Sequence, residues 1–543
     1  MISIPVTSIF GAWLSPPSPN LWHLVETLLP EAVENTLILV AMVAVGTGLI
    51  GVGTAWIVTQ CSFPGVRLFE WALLLPFAMP AYIIGYAYTA MLAFPGPVQS
   101  WIRATFGVTR DQYWFPEVAT VWGAGAMFTL VFYPYVYLLS RAAFLEQSGS
   151  TIEVARTLGR SPWGAFLTIS LPLARPAIAA GIALALMETI ADFGTVHFFG
   201  QHTLTTAIYR TWMGMGDRLG SLQLSAGLLS FALLLLFLER WSRGRAAHVS
   251  GRKRASMAST FTLGGPSAAL ATIACSLPVL LGFIVPVGYL IGLQFQIPDD
   301  IFDPLFQRAA LHSFILSAMA AALVLAVALV LAYAGRLSAA RSTRVLARIA
   351  TLGYGVPGTV VAVGVLFPLG AFDNAVDAFM RANFGISTGL ILSGTLIALM
   401  FAYLVRFLAI GYGAVESGFA KIPRSIDDVA RTLGSGPGEV ARRVHAPLLR
   451  RSMLAGAILA FGDVLKELPM TLVVRPFNFD TLAIRVFNFA SDERFAQAAT
   501  GSLVIVLIGL APVVILTRMI ATERRGERTR RIGRDDEAVV PAA

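Results

Sequence analysis

Apolar positions gather into long runs separated by short polar stretches. Runs long enough to cross a bilayer, about 20 residues each, lie near 35–59, 68–93, 117–140, 176–199 and 222–239. Six more lie near 268–293, 311–335, 348–370, 388–412, 452–474 and 498–520. The pattern predicts an all-α polytopic membrane protein with about eleven transmembrane helices. Pro76, Pro80 and Pro357 fall inside these runs. Membrane helices tolerate proline because neighbouring groups satisfy the freed backbone.

Composition agrees with the pattern. Of 543 residues, 56% are hydrophobic and 13% charged, against about 25% charged in soluble chains. That excludes a soluble multidomain enzyme, a disordered protein and a disulfide scaffold. Cys61 and Cys275 belong to no CxxC or Cys/His cluster and read as ordinary thiols.

The net charge of +9 matters through its distribution. Arginine and lysine concentrate in 240–254, 336–348, 421–451 and the tail after Thr522. These stretches fall on one side of an eleven-span count. Asp299, Asp300, Asp303, Asp373 and Asp377 fall on the other. The positive-inside rule puts the C-terminus in the cytoplasm and the N-terminus outside. No basic n-region marks a signal peptide. Trp71, Trp101, Trp114, Trp122, Trp212 and Trp241 lie near span ends, as interfacial anchors do, and no stacking platform for nucleic acid is present.

The chain repeats itself. Residues 153–159 read EVARTLG and 428–434 read DVARTLG; at this offset of 275, segments 153–181 and 428–456 agree at 12 of 29 positions. Six spans separate the copies, so both face the cytoplasm and the duplication is parallel. The first half has no full counterpart of span 268–293. Residues 1–14 match only its back half, which leads to the expectation that the chain starts inside a first helix and that a complete version has twelve spans. The expected units are an N-terminal segment at 1–32, a first repeat domain at 33–241, a basic linker at 242–267, a second repeat domain at 268–520 and a charged tail at 521–543.

Each repeated motif predicts two short cytoplasmic helices at an angle. Residues 151–158 favour helix, Gly159 can end it, and Ser161-Pro162 can start another. Gly434 and Gly436-Pro437 repeat the arrangement. Such an element reads as a docking knob for a cytoplasmic partner.

Glu153-Val154-Ala155, Gly159 and Ile169-x-Leu171-Pro172 resemble the EAA–G–I-L-P loop of type I (binding-protein-dependent) ABC importer permeases. The second copy carries Asp428, Ala430, Gly434, Val444, Ala446 and Pro447, with Asp for Glu, Val for Ile and Ala for Leu. The resemblance implies two fused permease domains with coupling helices near 151–160 and 426–435, where Glu153 and Asp428 supply acidic contacts to the ATPase. It also implies alternating access driven by ATP and Mg²⁺ in a separate ATPase. The chain has no GxxxxGK[ST] sequence, so it is expected to be no enzyme and to bind no cofactor. The implied partners are two ATPase copies, a periplasmic binding protein and membrane lipid, with one permease chain per transporter in a bacterial inner membrane.

Two stretches bear on cargo. Glu188 to Thr195 with Thr203 to Trp212, and Asp463 to Thr471 with Arg475 to Leu482, look like the fused permeases of ferric-iron importers. Permeases for thiamine, polyamines, sulfate and phosphonates share parts of this set. Glu188 and Asp192 are four apart, as are Asp463 and Glu467, so each pair is expected to share a helix face. A pseudo-twofold would bring the four acids toward one path, where oxygen ligands suit a hard cation. Interhelical hydrogen bonds or a gate would use the same groups. Periplasmic capture usually sets specificity, so no tightly bound metal is expected. An ion-driven secondary transporter is the distant alternative; it would need no docking knob.

Overall fold

The computed structural model describes residues 4–147, 162–244, 261–338 and 340–537. It is a helical bundle; its only β pairing among the described residues joins Cys61–Ser62 to Phe261–Thr262.

Nine helices among the described residues are long and apolar enough to cross a membrane, or ten if one bent pair is a single span. The bent pair, Val66–Ala78 with Ala81–Phe106, turns by 89°. Pro80 sits at the turn with extended backbone, because its ring opposes helical continuation. The remaining expected span, 452–474, is helical only to Leu465, within Ala446–Leu465, and Arg450, Arg451 and Asp463 make this helix less apolar than the rest.

The repeat runs deeper in the backbone than in the sequence. Helices begin at Val121 and Leu396, at Pro162 and Pro437, at Leu171 and Ala446, and at Gly194 and Pro469. Each pair is 275 residues apart. In the first half Val121–Glu146 packs between Leu29–Gln60 and Leu171–Ala191. In the second half Leu396–Ala420 packs between Pro304–Leu337 and Ala446–Leu465.

Matched glycines explain the close crossings. A Cβ on Gly181 would lie 2.7 Å from Val136 Cα, and one on Gly456 would lie 2.7 Å from Ala414 Cβ. Backbones can approach this closely only where side chains are small.

The first helices reach across the two halves. Ile4–Gly11 packs on Gly358–Phe384 and on Arg218–Gly244, with Ile9 seated over Gly364. Val285–Gln294 packs correspondingly on Ala81–Leu92 and Phe495–Glu537.

Candidate functional site

All four acids singled out in the sequence line one central cavity of about 120 Å³. Glu188 and Asp192 come from the first half, Asp463 and Glu467 from the second. Tyr82, Tyr135, Tyr354, Arg406 and Lys466 complete the polar lining. A larger, mostly apolar cavity of about 570 Å³ lies between the N-terminal segment and helices Leu29–Gln60 and Arg218–Gly244; none of these acids reaches it. Among the described residues no three His, Cys, Asp or Glu side chains converge to hold a metal ion. The acids share the cavity without forming a coordination cage.

The expected common helix faces need correction. Asp192 lies just past the end of Leu171–Ala191 with extended backbone, and Glu467 lies past the end of Ala446–Leu465. Each carboxylate caps the short helix that follows. Asp192 Oδ1 accepts from the Thr195 amide at 2.9 Å. Glu467 accepts from the Met470 amide at 3.0 Å, and from the Thr471 amide and hydroxyl at 2.9 and 2.7 Å. A carboxylate at a helix N-terminus satisfies free amides and faces the positive end of the helix dipole. The same spacing that suggests one continuous helix therefore encodes a break. Of the other two acids, Asp463 pairs with Lys466 at 2.8 Å, and Glu188 lies beside Tyr354, Arg406, Asp463 and Lys466.

Residues 151–160 lie outside the described residues, and with them Glu153, Ala155 and Gly159. Pro172 and Pro447 occupy matching first-turn positions in Leu171–Ala191 and Ala446–Leu465. The second knob is a helix over Arg424–Thr432, which starts and stops a little earlier than the predicted 426–435. Gly434 ends it at φ +84°, a left-handed conformation that favours glycine. The Ser435 amide donates to Ala430 O at 3.1 Å and the Gly434 amide to Arg431 O at 3.0 Å, closing the helix end. Pro437 then opens the next short helix. Asp428 is exposed and Ala430 buried, while Val429 and Leu433 point apolar surface outward.

Residues 48–246 match the family described as "Binding-protein-dependent transport system inner membrane component". The chain is 26% identical over 497 residues to the Fe(3+)-transport system permease protein FbpB 2 of Haemophilus influenzae, covering 90% of both chains. It is 22% identical to the ferric transport system permease protein FbpB of Actinobacillus pleuropneumoniae, covering 88% of this chain and 69% of that one. The molybdenum transport system permease protein ModB of Escherichia coli is 29% identical over 209 residues, 36% of this chain and 87% of ModB. Residues 48–246 thus carry a permease domain of this family, and the chain is similar along 90% of its length to a ferric-transport permease of nearly equal extent. Permeases of this family are inner-membrane proteins that work with an ATPase and a periplasmic binding protein.

Two groups in this permease escaped the sequence reading. Asp427, next to Asp428, is 7% exposed. It accepts from Arg336 Nε at 2.7 Å and Nη2 at 3.1 Å, and contacts His445 Nε2 at 2.8 Å. Arg336 also donates to the carbonyls of Phe419 and Ile422 at 3.0 and 3.1 Å, tying Pro304–Leu337 to the root of the knob. The Arg336 hydrogen bond, reinforced by His445, holds the Asp427 carboxyl below its ordinary range against the opposing effect of burial. Arg406 is the second omission: a single cation in the apolar run 388–412, which is itself a signal, since charges within spans usually face an interior.

Proposed function

We propose that this permease carries ferric iron across a bacterial inner membrane. A periplasmic binding protein delivers the ion, and two copies of a separate ATPase drive alternating access. One chain supplies both permease domains, 33–241 and 268–520, and the tail lies in the cytoplasm. The coupling segments are those near 151–160 and 426–435, the second carried by the helix Arg424–Thr432 and closed by Gly434. Val429, Leu433 and Asp428 are the surface offered to the ATPase at the second knob, consistent with their exposure.

The observation that carries the ferric reading is coverage. Two relatives named for ferric transport align along both halves, over 88–90% of this chain. The acidic lining of the central cavity adds chemical support, because oxygen donors suit a hard cation. In this account Glu188, Asp192, Asp463 and Glu467 line the translocation path. Asp192 and Glu467 also hold the broken helices that shape it.

The test is ATPase activity of the assembled transporter in lipid vesicles, with the binding protein loaded in turn with Fe³⁺, thiamine, a polyamine, sulfate, a phosphonate or molybdate. Ferric loading is expected to give the strongest stimulation. Stimulation by another cargo with none by Fe³⁺ would replace iron with that cargo.

A further inference from the structure

Arg406 differs from the other charged groups in the central cavity. It is 9% exposed, and its Nε and Nη1 have no hydrogen-bond partner among the described residues. The surrounding charges already have contacts. Lys466 holds Asp463, Asp192 caps the helix after it, and Glu467 is occupied by Met470 and Thr471. Glu188 lies close enough to feel the guanidinium, but no hydrogen bond joins them among the described residues. Gly358 lets its backbone approach this spot: a Cβ there would lie 2.6 Å from Arg406 Nη1 and 2.9 Å from Glu467 Oε1.

A guanidinium keeps its charge, and its planar fork of N–H donors matches the oxygens of an anion. Leaving such donors buried and unmatched is costly. A residue serving only to balance Glu188 would gain by closing onto it. The Tyr82 hydroxyl, which lines the same cavity, is likewise buried without a partner. Both residues line a space of about 120 Å³. At about 30 Å³ per water, that is room for a tetrahedral oxyanion. The first half offers no equivalent, since Val131 stands where the repeat places Arg406.

We propose that Arg406, with Tyr82, binds an oxyanion in the central cavity. The oxyanion arrives either free or as a ligand on the metal cargo. The acidic walls favour the second source, because a metal ion presents positive charge to the carboxylates while its oxyanion meets the guanidinium. The proposal rests on the importer reading but not on iron being the cargo.

The full chain in lipid nanodiscs is titrated with sodium phosphate and sodium sulfate, with chloride as control at equal ionic strength, and its thermal midpoint followed. A saturable rise with oxyanion but not chloride is expected, with affinity at least about tenfold weaker in R406Q and severalfold weaker in R406K and Y82F. The last two carry the test if R406Q does not fold. No oxyanion-dependent rise in the wild type, or unchanged affinity in the variants, overturns the proposal.

Uptake by the reconstituted transporter separates the sources. Loss of radiolabelled iron uptake in R406K supports the metal-bound oxyanion, and loss of radiolabelled sulfate uptake alone supports the free one. A wild-type transporter that moves no iron refutes the ferric reading, while an Arg406-dependent titration would still uphold the oxyanion site.

Discussion

The two halves of this permease share a backbone plan but distribute charge differently. Four pairs of their helices start 275 residues apart, and their acids at 188 and 463 and at 192 and 467 enter one cavity. The cavity's cations, Arg406 and Lys466, both come from the second half, where the first half has Val131 and Ala191. The joint beneath the knob differs too. The second half uses Arg336, Asp427 and His445, whereas the positions 275 residues before Asp427 and His445 hold Ile152 and Ser170. The first half instead pairs Arg141 with Glu70 at 3.2 Å, nearer the helix body. An aromatic pair persists at both joints, Trp56 with Phe144 and Tyr333 with Phe419. Duplication has thus preserved the packing geometry while the polar ties diverged, as expected if helix crossings are set by small residues and charges can be relocated one at a time.

The sharpest way to break this comparison is at Asp427. Replacing it with Ala leaves Arg336 largely buried without its carboxylate. A loss of about 3–5 kcal/mol is expected, read from denaturant or thermal unfolding of the full chain in detergent. Asp428→Ala, one residue away and exposed, is expected to change stability by less than about 0.5 kcal/mol while lowering ATPase stimulation. Equal destabilisation by the two changes would contradict the assignment. The pH dependence follows from the lowered Asp427 pKa. Its contribution to stability is fully present above the unfolded aspartate value near 4 and is lost as pH falls through the lower folded value. Wild type minus Asp427→Ala should therefore be flat from pH 8 to 5 as far as this carboxyl is concerned.

The glycine crossings come next. Gly181→Ala meets backbone at Val136 Cα and Tyr135 O, which cannot move aside, and is expected to cost about 2–3 kcal/mol. Gly456→Ala meets the Ala414 side chain first and is expected to cost about 1 kcal/mol. Thermal unfolding of the two variants, compared side by side, checks the order.

The capping acids should differ less. Glu467→Ala removes three hydrogen bonds to Met470 and Thr471 and is expected to cost about 2 kcal/mol. Asp192→Ala removes the bond to Thr195 and is expected to cost about 1 kcal/mol. In the paired variant Asp192→Asn with Glu467→Gln, iron uptake should fall while ATPase docking persists. Unchanged uptake would remove both acids from the path.

Much of this arrangement is legible in the sequence because bilayer physics writes it in long apolar runs. The runs, the parallel repeat and the knob closed by Gly434 are all visible in residue type and spacing. The convergence of four acids follows from the repeat alone. The helix breaks at Asp192 and Glu467 are not legible in the same way, because spacing of four fits both a helix face and a cap on the next helix. Asp427 hides beside Asp428. Its partner Arg336 is 91 residues away, so only the fold distinguishes the anchoring acid from the exposed one. Arg406 is visible as a charge within an apolar run, but its unmatched donors depend on where every neighbouring group has found its bond.

The most direct test of the importer account is iron uptake into sealed vesicles that contain this chain, assayed with and without its ATPase and loaded binding protein. Uptake is expected only when both partners and ATP are present, with no response to an imposed ion gradient. Uptake driven by a gradient in the absence of the ATPase would contradict the account.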